Sequence, residues 1–151
     1  YFNVFGLGQD PKSQYAAVMP LFITAFLDGG RITINGDGEQ SRDFTFVENV
    51  IQANMKAAVA PKATGEVFNV ACGESTSLNK VLDHLRTFTD VDTEVVYGPD
   101  RAGDIKHSLA SINRARELMG YDPTVSVETG LRMSVEWYRS ARKGPGGEPP
   151  A

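Results

Sequence analysis

An α/β architecture is what this sequence predicts, on three observations. Short β-favouring runs alternate with amphipathic stretches of helical period along the whole chain. Glycine, proline and Ser/Thr/Asp punctuate nearly every junction between them. The strands are short and the loops long and polar, which fits a binding lobe better than a complete parallel-sheet domain. With 151 residues, 41% hydrophobic and 23% charged, the chain has the size and balance of one globular unit.

Residues 1–5 read as a strand that stops at Gly6. A strand beginning at residue 1 needs neighbours to pair with, so sheet structure is expected ahead of it. Residues 18–27 form a helix in which Pro20 sits in the first turn, where a missing N–H costs little, and Gly29 and Gly30 end it. Residues 31–35 alternate apolar and polar, as a strand does, and residues 42–47 form a second β-like run after the turn "GDGEQS". A helix follows with Val47, Val50, Ile51, Asn54, Met55 and Ala58 on one stripe, stopped by Pro61. Residues 65–71 read as another strand. Thr76 or Ser77 caps a helix through Leu78, Val81, Leu82 and Leu85. Residues 93–98 form a strand that feeds the loop "PDRAGDIKHS". Ser111 is placed to cap a helix through Ile112, Ala115 and Leu118 that ends at Gly120. Ser126 is placed to cap a last helix with the stripe Val127, Leu131, Val135 and Tyr138. Residues 142–151, with no large apolar side chain, are expected to be a disordered tail.

Several chemistries are excluded early. A net charge of -4 and a pI of about 5.1 make a poor nucleic-acid binder, because such binding rests on Lys and Arg neutralising phosphates. Cys72 is the only cysteine, so no intrachain disulfide or cysteine-built metal site exists. No apolar run reaches the roughly 18 residues of a membrane span, and the first residues are too polar and glycine-rich for a signal-peptide core. A cytoplasmic protein with no membrane partner is the expectation. There is no G-x-G-x-x-G and no P-loop. His84 and His107 stand too far from partners in sequence to build a metal site or a nucleophile–base pair, and His84 reads as a surface residue. Tyr-x-x-x-Lys is absent: Tyr97 and Tyr138 have Arg101 and Arg142 at the fourth position. No catalytic residue is assigned.

Four stretches in order, "YFNVFG", "QDPKSQYAAVMP", "INGDGEQSRDFTFVENV" and "RAGDIKHS", closely resemble the C-terminal half of extended short-chain dehydrogenase/reductases that act on nucleotide sugars. The similarity covers about residues 1–140 and is nearest to the UDP-sugar 4-epimerases, especially the subgroup handling UDP-N-acetylglucosamine. It implies that an NAD-binding Rossmann half, carrying the glycine fingerprint and Tyr-x-x-x-Lys, precedes this point. Residues 1–5 would then be a strand of that domain and residues 6–141 the substrate lobe. The chain alone would be inactive, NAD would be bound mainly by the other half, and the parent enzyme would be a homodimer. In such an enzyme a tyrosinate takes the C4 hydroxyl proton while hydride passes to NAD and returns to the other face.

The resemblance also implies roles for particular residues. Arg42 and Arg101 fall where the family grips the pyrophosphate, a task suited to the guanidinium fork. Asn3 corresponds to a donor to phosphate and sugar. Ala17 and Val18 match the segment whose backbone holds the uracil edge, and Thr33 and Asn35 lie beside the base. Asp104 would hold Arg101 or a ribose hydroxyl. Phe2 corresponds to the position beside the nicotinamide and is the one cofactor contact carried over. The family commonly has "GPRQ" where this chain has "GLGQ", so Leu7 and Gly8 replace a proline and an arginine. Two other readings stay open: the lobe of a nucleotide-sugar dehydratase or decarboxylase, and a non-catalytic nucleotide-sugar-binding module.

Overall fold

The computed structural model describes residues 1–12 and 17–142. In chain order the elements are β1 (Val4–Phe5), α1 (Val18–Asp28), β2 (Ile32–Asn35), β3 (Ser41–Arg42), β4 (Thr45–Phe46), α2 (Val47–Val59), a 3-10 turn (Pro61–Ala63), β5 (Thr76–Ser77), α3 (Leu78–Thr89), β6 (Val95–Gly98), α4 (Asn113–Met119) and α5 (Val127–Arg142). This is the α/β alternation that the sequence predicts. The strands pair two by two. β1 runs parallel to β4 with Val4 opposite Thr45, β2 parallel to β6 with Ile32 opposite Val95, and β3 antiparallel to β5 with Ser41 opposite Ser77. Among the described residues, no helix is long and apolar enough to cross a membrane.

The helix boundaries follow local chemistry closely. Gly29 closes α1 in the left-handed region, its N–H on the Ala25 carbonyl, as a glycine without a Cβ does most readily. The Ser77 hydroxyl accepts from Lys80 N and caps α3, and the Ser126 hydroxyl accepts from Thr129 N at the start of α5. Ser111 does not cap α4: Ile112 stands at that position without a side-chain bond, and the Ser111 carbonyl instead accepts from Asn69 Nδ2. Gly120 ends α4 as expected. The last helix runs through Arg142, whose guanidinium pairs with Asp28 on α1, so that residue is helical rather than tail. The rest of the expected tail lies outside the described residues.

Two predicted runs divide. Residues 42–47 split into β3, β4 and the start of α2, because the chain turns at Asp43 to serve two different pairings. The predicted strand at 65–71 has no ladder; Phe2 N donates to Val70 O, but β1 is too short to pair with it over its length.

Two apolar clusters hold the molecule. The larger packs α1, α3 and α5 around β2 through Phe22, Ile23, Phe26, Ile32, Ile34, Leu82, Leu85, Leu131 and Val135, with Phe46 and Tyr138. All four apolar residues predicted on the last helix are buried. Helix α5 crosses Phe46 so closely that a Cβ at Gly130 would lie 2.6 Å from the ring, so this crossing requires glycine. The smaller cluster joins α2 and α4 through Val50, Ala53, Val70, Ala71, Ala110, Ile112, Ala115 and Tyr121.

The predicted stripe on α2 is displaced. Asn49, Val50 and Ala53 face inward, whereas Ile51 is 56% and Met55 67% exposed. Buried Asn49 decides the rotation. Its Nδ2 donates to Val125 O at 2.8 Å, and its Oδ1 accepts from Thr124 N and Val125 N. A buried amide needs such partners, and pointing it at residues 124–125 turns Ile51 and Met55 outward.

A second buried polar group ties the halves together. Asp43 is fully buried, and its carboxylate accepts from Cys72 N at 2.8 Å, Gly73 N at 3.0 Å and Ala110 N at 3.4 Å. Beside it, burial first and the Asp43 charge second push the Cys72 thiol up to about 11. The thiolate is the reactive form, so Cys72 is expected to resist a disulfide thiol reagent at pH 8 in the native protein. It should react once urea unfolds the chain, which absorbance of the released chromophore measures. Rapid labelling of the native protein would show that this region opens.

Candidate functional site

Period two in β2 makes one wall of a cleft. Ile32 and Ile34 point into the core, so Thr33 and Asn35 share the opposite, exposed face. The first turn of α1 forms the facing wall with Ala17, Val18 and Met19, its N-terminal N–H groups and partial positive charge at that end. β3 brings Arg42, and the loop before α4 brings Arg101 and Asp104. Phe5, Phe22, Phe44 and Leu78 complete an apolar floor. The cleft so enclosed has a volume of about 470 Å³, room for a nucleotide-sized ligand.

Eight of the nine residues singled out in the sequence line this one cleft: Asn3, Ala17, Val18, Thr33, Asn35, Arg42, Arg101 and Asp104. Phe2 does not; it is half-buried and packs against the smaller cluster. Sequence reasoning missed Gln40, Phe22, Phe44 and Leu78. Phe44 was legible as the residue two beyond Arg42 in a β-like run. Gln40 carried no such signal, because its place depends on the turn that lets its Nε2 donate to Asn35 O at 2.7 Å.

Arg42 is the best-held charge of the cleft, its side chain only 20% exposed. One guanidinium nitrogen donates to the carbonyls of Ser41 at 2.9 Å and Lys106 at 3.3 Å. The other donates to Asp104 Oδ1 at 2.7 Å. Three of the five N–H groups of an arginine are thus engaged, and two are left for a ligand. Asp104 therefore pairs with Arg42 and not with Arg101. Its Oδ1 reaches Arg42 because a turn closed by Asp104 N on Arg101 O carries the carboxylate back toward β3. Arg101 is exposed and makes no ion pair among the described residues.

Asn3 adopts a left-handed conformation, φ 37, which asparagine tolerates better than most residues. Its Nδ2 donates to Asp43 O at 3.0 Å, and the residue lines the cleft. Next to Arg101 lies an annex of about 180 Å³ that adds Asp37, Asp100 and Lys106. Asp37 and Lys106 pair at 3.1 Å. A backbone N–H from Glu39, then Lys106, holds the Asp37 carboxyl below its usual range, and Asp37 in turn raises Lys106.

The chemistry available is recognition. Among the described lining residues the titratable groups are Arg42, Arg101 and Asp104: two cations and one carboxylate already paired. Two cations above an apolar floor suit an anionic ligand. The sequence carries no G-x-G-x-x-G, and Phe2 packs against the smaller cluster.

Comparison with known proteins agrees with this geometry. The sequence model of the NAD dependent epimerase/dehydratase family matches residues 1–71. The structure superposes with a TM-score of 0.85 and 42% identity on the UDP-N-acetylglucosamine 4-epimerase of Methanobrevibacter ruminantium in complex with UDP-N-acetylmuramic acid, covering 93% of this chain and 44% of that one. The UDP-glucose 4-epimerase of Thermotoga maritima with UDP-glucose gives 0.86 and 38%, over 93% and 44%. Among curated proteins, a UDP-glucose 4-epimerase of Mycolicibacterium smegmatis is 35% identical over 91% of this chain and 44% of its own length. A UDP-N-acetyl-alpha-D-glucosaminuronate decarboxylase of Bacillus cytotoxicus is 30% identical over 92% and 44%. The chain thus spans less than half the length of the relatives it matches. With its α/β order, its arginine-lined cleft and these matches taken together, the chain is similar over residues 1–71 to the NAD dependent epimerase/dehydratase family and over most of its length to UDP-sugar 4-epimerases.

Proposed function

We propose that the cleft binds the uridine diphosphate end of a UDP-sugar, and that the chain serves as the substrate lobe of a UDP-sugar 4-epimerase. The carrying observation is the convergence of Arg42 and Arg101 on one cleft whose other lining residues are uncharged apart from Asp104, which is paired with Arg42. A pyrophosphate carries about two negative charges at neutral pH, and charge-assisted bonds from guanidinium are roughly twice as strong as neutral ones. The uracil would lie between Thr33 and Asn35 on β2 and the backbone of Ala17 and Val18. Asn3 would reach the sugar side. Anchoring the nucleotide firmly while leaving the sugar free is what an epimerase needs, because remote binding energy then orients the reacting end. The sugar pair would be UDP-GlcNAc/UDP-GalNAc or UDP-Glc/UDP-Gal. NAD contact from this chain would be limited to Phe2, and the chain by itself would not interconvert UDP-sugars, since it supplies no Tyr-x-x-x-Lys pair.

Calorimetric titration with UDP and with uridine tests the reading. UDP is expected to bind saturably and uridine at least about 100-fold more weakly, the equivalent of two charged hydrogen bonds at about 1.5 kcal/mol each. Equal affinities, or no saturation by UDP, would refute it.

A second reading rests on the 30% identity to a decarboxylase over 92% of this chain. The same lobe would then serve a decarboxylating or dehydrating enzyme. Product mass separates the two for the enzyme that contains this lobe: epimerisation conserves it, whereas decarboxylation and dehydration do not.

A further inference from the structure

His107 and Ser41 are 66 residues apart in sequence, yet the Ser41 hydroxyl lies 2.9 Å from His107 Nδ1. The Ser75 hydroxyl donates to the same Ser41 oxygen at 2.7 Å. Ser41 can then give its own proton to Nδ1 in the tautomer that carries the ring proton on Nε2. The backbone follows the side chains. Ser41 N donates to Lys106 O at 2.8 Å, and Ser108 N donates to Ser41 O at 3.0 Å, so residues 106–108 lie along β3 as a short parallel bridge. Both carbonyls that Arg42 uses, Ser41 O and Lys106 O, belong to this bridge. Its third partner, Asp104, sits two residues before Lys106 in the same loop.

We propose that His107 is a positioning residue for Arg42, acting through Ser41. The Ser75–Ser41–His107 chain clasps the loop bearing Arg101 and Asp104 onto β3, and this clasp holds the carbonyls and carboxylate that orient the Arg42 fork toward the cleft. The inference rests on the reading of the cleft as a UDP site. His107 is itself exposed and does not line the cleft, so its effect on a ligand must pass through the clasp. Its side-chain hydrogen bond among the described residues is the one at Nδ1. An asparagine places its carbonyl oxygen near the position of Nδ1, whereas a glutamine places it near Nε2.

The experiment measures UDP affinity by calorimetry for the full chain and for His107→Ala, His107→Asn, His107→Gln and Arg42→Ala. It is paired with amide hydrogen exchange at Ser41 and Ser108 and a urea midpoint for each variant. His107→Ala is expected to raise the UDP dissociation constant about 5- to 10-fold, the loss of a pre-organised fork, with faster exchange at Ser41 and Ser108 and little change in midpoint. His107→Asn is expected to restore both readouts and His107→Gln neither. Wild-type affinity in His107→Ala, with Arg42→Ala still weakened, would overturn the positioning role alone. Equal loss in the Ala, Asn and Gln variants would overturn it too, in favour of simple packing. If wild type does not bind UDP, the reading of the cleft fails first; if Arg42→Ala binds it normally, Arg42 is not the anchor; in either case the positioning role falls.

Discussion

Replacing Asp43 with alanine is expected to destabilise the native state by about 4 kcal/mol, read as a fall in the urea midpoint at pH 7. The cause is local and countable. The carboxylate is the acceptor for Cys72 N, Gly73 N and Ala110 N, and the residue has no exposed surface. Alanine leaves the buried Cys72 and Ala110 donors with no partner, at about 1–3 kcal/mol for each unsatisfied group. It also cuts the link between the β3–β4 turn, residues 72–73 and the approach to α4. Asp43→Asn keeps one acceptor oxygen but aims an NH2 at a donor, so an intermediate loss is expected. A midpoint unchanged in Asp43→Ala would mean that these loops are held by something else. The pH dependence has a definite sign. Burial, the largest cause, raises the Asp43 carboxyl above its ordinary value, so the native state keeps a proton that the unfolded chain releases. Its contribution to stability is therefore fully present below the unfolded value of about 3.9 and lost as pH rises through the raised native value. Asp43→Asn should lack that slope.

Arg42→Ala is expected to weaken UDP binding about 100-fold while leaving uridine binding within about twofold. Hydrogen bonds to charged groups contribute about 1.5–3 kcal/mol each, and the fork has two N–H groups free of protein partners among the described residues. The loss has a second component, because Asp104, paired with Arg42 at 2.7 Å, would then face the cleft as an uncompensated negative charge. Arg42→Lys separates the two: it keeps the charge beside Asp104 but not the planar fork, and a loss of about tenfold is expected. Calorimetry on variants with a native melting profile checks these values. Unchanged UDP affinity in Arg42→Ala would remove the phosphate from Arg42 and leave Arg101 as the candidate anchor.

Part of the cleft was legible before any coordinates, its strand and helix from local pattern and its binding residues from the family resemblance. Alternation alone places Thr33 and Asn35 on one face of a strand whose other face is Ile32 and Ile34. Gly29 and Pro20 bound α1 through backbone rules that need no neighbour. The motifs "SRDF" and "RAGD" marked Arg42 and Arg101. The partner of Asp104 was not legible. Choosing between Arg101, three residues away, and Arg42, 62 residues away, requires knowing that the loop folds back along β3. The histidines illustrate the same limit. His84 is half-buried and stacks on Phe88 four residues along its own helix. His107, isolated in sequence, meets a serine across the fold.

By itself the sequence determined the α/β alternation, the helix ends set by Gly29, Gly120, Ser126 and one of Thr76 or Ser77, and the buried stripe of α5. Each follows from periodicity, capping or backbone freedom, forces that act within a few residues. Only the tertiary structure decided which face of α2 turns inward, that residues 65–71 form no ladder, that Arg42 takes Asp104, and that Ser41 reaches His107. Those outcomes depend on hydrogen bonds and packing between segments tens of residues apart. Asn49 shows the reason most directly: its side chain satisfies the backbone at residues 124 and 125. Leaving a buried amide unpaired costs about 1–3 kcal/mol for each unsatisfied group, and the orientation that pairs it leaves Ile51 and Met55 at the surface.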